Sequence, residues 1–217
     1  MVPDKSYTGR ATINIYNRDC MELMGGKPKD HWQLSIVDPP YGIGVSKMNI
    51  GARKQKNNSC DGKEWDNKPP TKEYFNQLQR VSKEQIIWGA NYFNCFNGRN
   101  GAIIWHKNNP LPTSSDCEIA SYSKHSKVAI YNKTWTNFVN DKSTSHPTEK
   151  PVKLYKWLLT NYAKEGDTIL DTHGGSLSIA IACWDLGFDL DVCELDTDYF
   201  NDAVKRFETH IAQTQLF

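Results

Sequence analysis

Between Gly166 and Leu195 the chain reads GDTILDTHGGSLSIAIACWDLGFDLDVCEL, and no other stretch restricts the fold as much. A short apolar run (167–171) ends at an acid, two glycines (Gly174, Gly175) turn the chain, and an apolar run of helical length stops at Gly187. An alternating run, DLDVCEL, follows. Strand, glycine turn, helix, strand is one βαβ unit, so its two strands lie parallel in one sheet with a right-handed crossover. The expected fold class is α/β with a sheet at least partly parallel.

The remaining segments suit that class. ATINIY (11–16) alternates as a half-buried strand and QLSIVD (33–38) reads as a more deeply buried one, with CMELM a short helix between them. Thr71 is placed to cap a helix whose Tyr74, Phe75, Leu78 and Val81 share a face. QIIWG (85–89), GAIIWH (101–106), CEIASY (117–122) and KVAIY (127–131) are short strands between turn residues. From Pro151, Val152, Leu154, Tyr155, Leu158, Leu159 and Tyr162 recur at helical spacing, and a last helix carries Tyr199, Phe200, Ala203, Val204 and Phe207. With no internal repeat or low-complexity linker in 217 residues, a single domain over 1–217 is expected.

Composition narrows function by exclusion. Lys+Arg 26 against Asp+Glu 25 leaves a net charge of +1, so any basic surface must be local. The longest apolar stretch, Ile179 to Trp184, falls far short of the roughly 20 residues of a membrane helix. MVPDKSYTGR lacks the apolar core of a signal peptide, so a cytoplasmic protein is expected. Cysteines at 20, 60, 95, 117, 183 and 193 never form C-x-x-C, and the six histidines never form H-E-x-x-H; reduced thiols and no metal site are expected.

Asp38, Asp171 and Glu194 each stand where an apolar strand run finishes. Ligands of open α/β sheets bind outside the carboxyl ends of strands, so three acids there can face one crevice. The plain alternative is that each caps its own turn. Glu194 follows Asp171 by 23 residues (194 − 171), near the roughly 20 that separate a glycine turn's strand from a ribose-binding acid. DTHGGSLS is not G-x-G-x-x-G, which leaves a dinucleotide or another adenosine-bearing ligand open.

The stretch IVDPPYG (36–42) ends its strand at an acid, two prolines and a tyrosine. That combination suits, as a candidate reaction, attack by the exocyclic amine of a nucleobase; a rigid strand-ending turn is the plain alternative. Such a nitrogen is a poor nucleophile while its lone pair is delocalised into the ring, and acceptors that hold its N–H groups favour a tetrahedral arrangement. Asp38 supplies one acceptor and the Pro39 carbonyl the other, since prolines have no N–H for a ladder and fix the turn. Tyr41 offers a flat face to an extruded base. With a sulfonium methyl as electrophile no strong general base is needed.

Here the sequence resembles a known family. DPPYG (38–42) looks like the catalytic motif of S-adenosylmethionine-dependent amino-methyltransferases acting on DNA. IIWGANYF (86–93), SDCEIASYS (115–123), HPTEKP (146–151), GDTILDTHGGS (166–176) and CELD (193–196) follow in the order of the β class, closest to compact adenine-specific enzymes of phages and prophages. The resemblance implies a doubly wound, mostly parallel, seven-stranded-type sheet with helices on both faces. It implies that Asp38, Pro39 and Tyr41 hold and stack the target adenine, with Pro40 shaping the loop. Asp171, His173, Gly175 and Ser176 would cradle the methionine part of S-adenosylmethionine, Glu194 its ribose, and Leu195 its adenine ring. Asp19 and Cys20 would line the adenine pocket, and Lys150 would close over the methionine end. Leu177 departs from the family's glycine: leucine poorly adopts positive φ and adds bulk at the helix start.

DNA contacts are expected from SKMNIGARKQK, with Lys47, Arg53, Lys54 and Lys56, inside a loop at 44–67. A solvated basic loop is the plain alternative there. Asn57 and Asn58 could read adenine edges, although loop asparagines commonly serve the turn itself. At 211–217, Gln213, Leu216 and Phe217 resemble the Q-x-x-L-F peptides that dock into sliding clamps, with a frayed, functionless end as the plain alternative, and members of the class are often homodimers. The rival readings are cytosine-N4 methylation, a nicotinamide-dependent oxidoreductase, and a non-catalytic DNA-binding remnant.

Overall fold

The computed structural model describes residues 1–43, 68–96, 101–107, 115–132 and 149–214. Lys47, Arg53, Lys54, Lys56, Asn57 and Asn58, residues 146–148, and Leu216 and Phe217 lie outside the described residues. In chain order the elements are β1 (Lys5–Thr8), β2 (Thr12–Tyr16), α1 (Cys20–Gly25), β3 (Trp32–Val37), α2 (Lys72–Val81), β4 (Ser82–Trp88) and the short α3 (Ala90–Phe93). They continue with β5 (Gly101–His106), β6 (Cys117–Tyr122), β7 (Val128–Asn132), α4 (Val152–Tyr162), β8 (Thr168–Asp171), α5 (Ser178–Leu186), β9 (Asp189–Cys193) and α6 (Thr197–Thr214).

The nine strands among the described residues join one sheet in the order β1-β2-β9-β8-β3-β4-β6-β5-β7. From β2 to β4 every neighbour is parallel, as the βαβ unit requires. The expected doubly wound, mostly parallel sheet is present, and antiparallel strands are added toward its margins. At one edge β1 adds an antiparallel hairpin to β2, and toward the other β6 runs antiparallel between β4 and β5, with β7 parallel to β5 outside them. The sheet is therefore mixed.

Both faces of the parallel centre are covered, and adjacent strand residues divide between them. Ile36, Ile86, Ile169 and Val192 join one core with the apolar faces of α4, α5 and α6; Val37, Ile87, Leu170 and Cys193 join the other with α1 and α2. Period-two alternation thus explains why these strands read as unbroken apolar runs: each side chain is buried, on one face or the other. Thr71 caps α2 as expected, its side chain accepting from the Tyr74 N–H at 3.4 Å. The consequence for function is positional. Strands β9, β8 and β3 are neighbours, so Glu194, Asp171 and Asp38 emerge side by side at the carboxyl edge.

Candidate active site at the carboxyl edge of the sheet

Asp38 continues β3 out of the core and keeps 21% of its side-chain surface open, enough to be reached from solvent. Its Oδ1 accepts the Tyr41 hydroxyl at 2.7 Å, and its Oδ2 accepts the Lys150 ammonium. Lys150 is buried, 3% exposed, with Glu118 Oε2 3.0 Å away. Glu118 is tied in turn to Lys107 at 2.6 Å. One buried ammonium is therefore shared by two carboxylates. Burial opposes the charge on Lys150, but Asp38 and Glu118 together raise its pKa. Glu118, despite its burial, is held below the usual carboxylate range by Lys150 and Lys107. Asp38 is pushed above that range by burial, against the pull of Lys150.

The end of β4 shapes the wall around this group. Gly89 turns there at φ +75°, and a Cβ on it would stand 2.4 Å from the Tyr41 ring. Tyr41 stacks on Tyr92 at 4.8 Å between centroids, 18° from parallel, and meets Phe93 edge-on at 5.8 Å. One face of the ring expected to receive a base is thus covered by Tyr92, which is itself 47% exposed. The Tyr41 phenol is kept neutral by burial and by Asp38, so it remains a donor.

The glycine turn forms the second half. Gly174 donates to the Cys193 carbonyl at 2.7 Å and Gly175 to Glu194 Oε2 at 2.8 Å, which joins the turn to the end of β9. Arg206 of α6 donates to the Ser176 carbonyl at 2.7 Å and pairs with Glu149 at 2.6 Å, fixing the turn from below. Asp171 is 1% exposed and accepts the His173 N–H at 3.0 Å; burial pushes its pKa to about 7. Burial also holds His173 down at about 4, with its Nδ1 2.9 Å from Thr172 Oγ1. Leu177 does adopt positive φ, +57°, but its side chain is fully buried in the core and not in the crevice. Asp19 caps α1 through the Met21 N–H at 2.8 Å, and burial raises the Cys20 thiol to about 12, with Asp19 and Asp171 adding to it.

The residues fit an S-adenosyl ligand on three counts. Asp171 is a buried carboxylate in no ion pair among the described residues, Glu194 offers a carboxylate fixed by backbone donors at the crevice, and Leu195 presents an apolar side chain 70% exposed. Asp38, Tyr41 and Lys150 come into direct contact; Asp171, His173, Gly175, Ser176 and Glu194 form the adjoining turn. Sequence reasoning missed Glu118, Lys107, Tyr92 and Arg206. For Glu118 a signal existed: an acid inside the otherwise apolar strand CEIASY, opposite Trp105 in register.

Comparison with known proteins gives the family and the fold. Residues 88–205 match the family described as DNA methylase. The chain is 25% identical to the type II methyltransferase M2.DpnII of Streptococcus pneumoniae, over 94% of this chain and 92% of that one. It is equally 25% identical to the type II methyltransferase M2.MboI of Moraxella bovis, over 78% of each chain. Its fold is like that of M1.HpyAVI, solved as a SAM complex (TM-score 0.59, 19% identity, 89% of this chain and 99% of that one). It is also like that of the cytosine-N4-specific PvuII DNA methyltransferase (TM-score 0.59, 14% identity, 90% and 86%).

Proposed function

The chain belongs to the DNA methylase family and is an S-adenosylmethionine-dependent DNA methyltransferase; from that premise we propose that its target is the N6 amine of adenine, received by Asp38. The observation that carries this reading is the Asp38 carboxylate at the end of β3, with 21% of its side-chain surface open and Tyr41 beside it. An N–H of the target amine donates to Asp38 and the other to the Pro39 carbonyl, which lowers the overlap of the nitrogen lone pair with the ring. Tyr41, seated against Gly89, stacks the extruded base once Tyr92 has moved from its face.

Asp171, His173, Gly175 and Ser176 hold the methionine end of S-adenosylmethionine, Glu194 its ribose, and Leu195, with Asp19 and Cys20, its adenine; Lys150 bounds the methionine side. When bound, the cofactor supplies a sulfonium methyl as electrophile. The methylated amine is acidic and loses its proton to solvent. Because Asp38 is pushed above the ordinary carboxylate range, its acceptor form grows with pH, and the rate of transfer rises with pH across that titration.

DNA is the substrate; its phosphates are met by the loop that carries Lys47, Arg53, Lys54 and Lys56, a reading supported by four cations without an acid in SKMNIGARKQK. A DNA substrate supports a cytoplasmic location, and no helix among the described residues is long and apolar enough to cross a membrane. Pairing of two copies would enlarge a small recognition surface, and the tail Gln213, Leu216, Phe217 supports a sliding-clamp contact by its sequence alone. Likeness in fold to a cytosine-N4 enzyme makes cytosine the second reading of the same site. Digestion of DNA methylated by the protein into nucleosides separates the two: N6-methyladenine is expected, and N4-methylcytosine in its place overturns the adenine assignment while keeping the class.

A further inference from the structure

Resting on that reading, we propose that Glu118 is a positioning residue for the transfer, taking the Lys150 ammonium off Asp38 when the target amine arrives. Both oxygens of Asp38 are engaged, Oδ1 by the Tyr41 hydroxyl and Oδ2 by Lys150. A carboxylate oxygen can accept twice, but an N–H that shares Oδ2 with Lys150 stands against the positive charge of the ammonium. Lys150 must yield, and an ammonium 3% exposed cannot be left alone, because an unpaired buried charge is strongly destabilising.

Glu118 is built for that exchange. Its Oε1 is pinned by Lys107 at 2.6 Å, so the carboxylate stays in place. Its Oε2 is buried, lies 3.0 Å from Lys150, and accepts no well-directed hydrogen bond among the described residues. It is an under-used acceptor beside the one cation that has to move. Lysine suits the role, having three donors on a flexible stem. The electrostatics run the same way. Lys150 and Lys107 keep Glu118 below the usual carboxylate range, while Asp38 stands above it, so the shared cation finds the firmer anion on Glu118. No covalent bond changes in this exchange: one ion pair opens, another tightens, and Asp38 Oδ2 becomes available to the amine.

The test is a double-mutant cycle read by single-turnover methyl transfer from S-adenosylmethionine to DNA. Glu118→Gln is expected to slow transfer by at least about tenfold while the dissociation constants for cofactor and DNA stay within about twofold of wild type. In a Lys150→Gln background the same substitution is expected to change the rate by less than about twofold, since there is no ammonium left to relocate. A Glu118→Gln rate equal to wild type overturns the proposal, and so does a penalty of equal size in both backgrounds, which is what a scaffold role gives. If Glu118→Gln fails to fold by circular dichroism, Glu118→Asp replaces it in the same cycle, with the same two readings. A wild-type protein that binds cofactor and transfers no methyl overturns the assigned activity, and this inference with it; active wild type with an indifferent Glu118 overturns the inference alone.

Discussion

At the scale of single residues, Asp171 is expected to set the pH behaviour of cofactor binding. Burial raises its pKa from 3.8 to about 7, so in the ligand-free protein this group's stabilising contribution is complete below about pH 4 and is lost as pH rises through about 7. A cationic ligand reverses the preference, because it favours the carboxylate. Affinity for S-adenosylmethionine is expected to strengthen from pH 5.5 to 7.5, by up to about tenfold per pH unit, with up to one proton released below pH 7. His173, held at about 4, stays neutral across that window and adds nothing to the slope. Calorimetry in two buffers of different ionisation enthalpy measures the proton directly; an affinity indifferent to pH contradicts the assignment of Asp171. The companion variant, Asp171→Asn, is expected to lose cofactor binding yet melt higher than wild type at pH 8, by about 2–4 °C per kcal/mol recovered. Asp38, Tyr41 and Asp171 were legible in the sequence because strand ends and turn residues mark them. The Lys150 to Asp38 contact was not, since it joins positions 112 apart that only the folded sheet brings together.

At the scale of elements, two turns carry opposite kinds of constraint. Leu177 caps α5 in the left-handed region at φ +57°, which glycine would adopt freely, but its side chain fills the core. Leu177→Gly is expected to relieve about 1 kcal/mol of backbone strain and to lose about 2–5 kcal/mol of buried side chain. The net is a destabilised protein with cofactor affinity unchanged, measured by urea unfolding beside a binding titration; a large loss of affinity contradicts the placement of Leu177 away from the crevice. At the end of β4 the constraint is on the site itself. Gly89→Ala puts a methyl 2.4 Å from the Tyr41 ring on a backbone at φ +75°, so Tyr41 must shift. Methyl transfer should fall by about 100-fold or more, as misplacement of about 1 Å does in catalysis, while cofactor binding persists. Periodicity revealed α2, α4 and the βαβ unit because each has a buried face. Strand β1 was missed because it is mostly exposed and has no apolar pattern to read.

At the scale of the whole molecule, the sheet brings the two halves of the site into one edge. The parallel run β2-β9-β8-β3-β4 places Glu194, Asp171 and Asp38 in sequence along it, and α6 locks the turn between them through Arg206. That centre was foreseeable from the alternation of apolar strands with helices. The order of β6, β5 and β7 was not, because short strands separated by turns pair equally well in several antiparallel arrangements on sequence alone. A net charge of +1 gives little general attraction to DNA, so any electrostatic contribution to binding must be local. The most direct measurement is methyl transfer from labelled S-adenosylmethionine to unmethylated DNA by wild type and Asp38→Ala, with cofactor binding measured on both. The expected result is N6-methyladenine with wild type, its loss by at least about a thousandfold in the variant, and equal cofactor affinity. Transfer that survives in Asp38→Ala contradicts the role of Asp38 as acceptor for the amine.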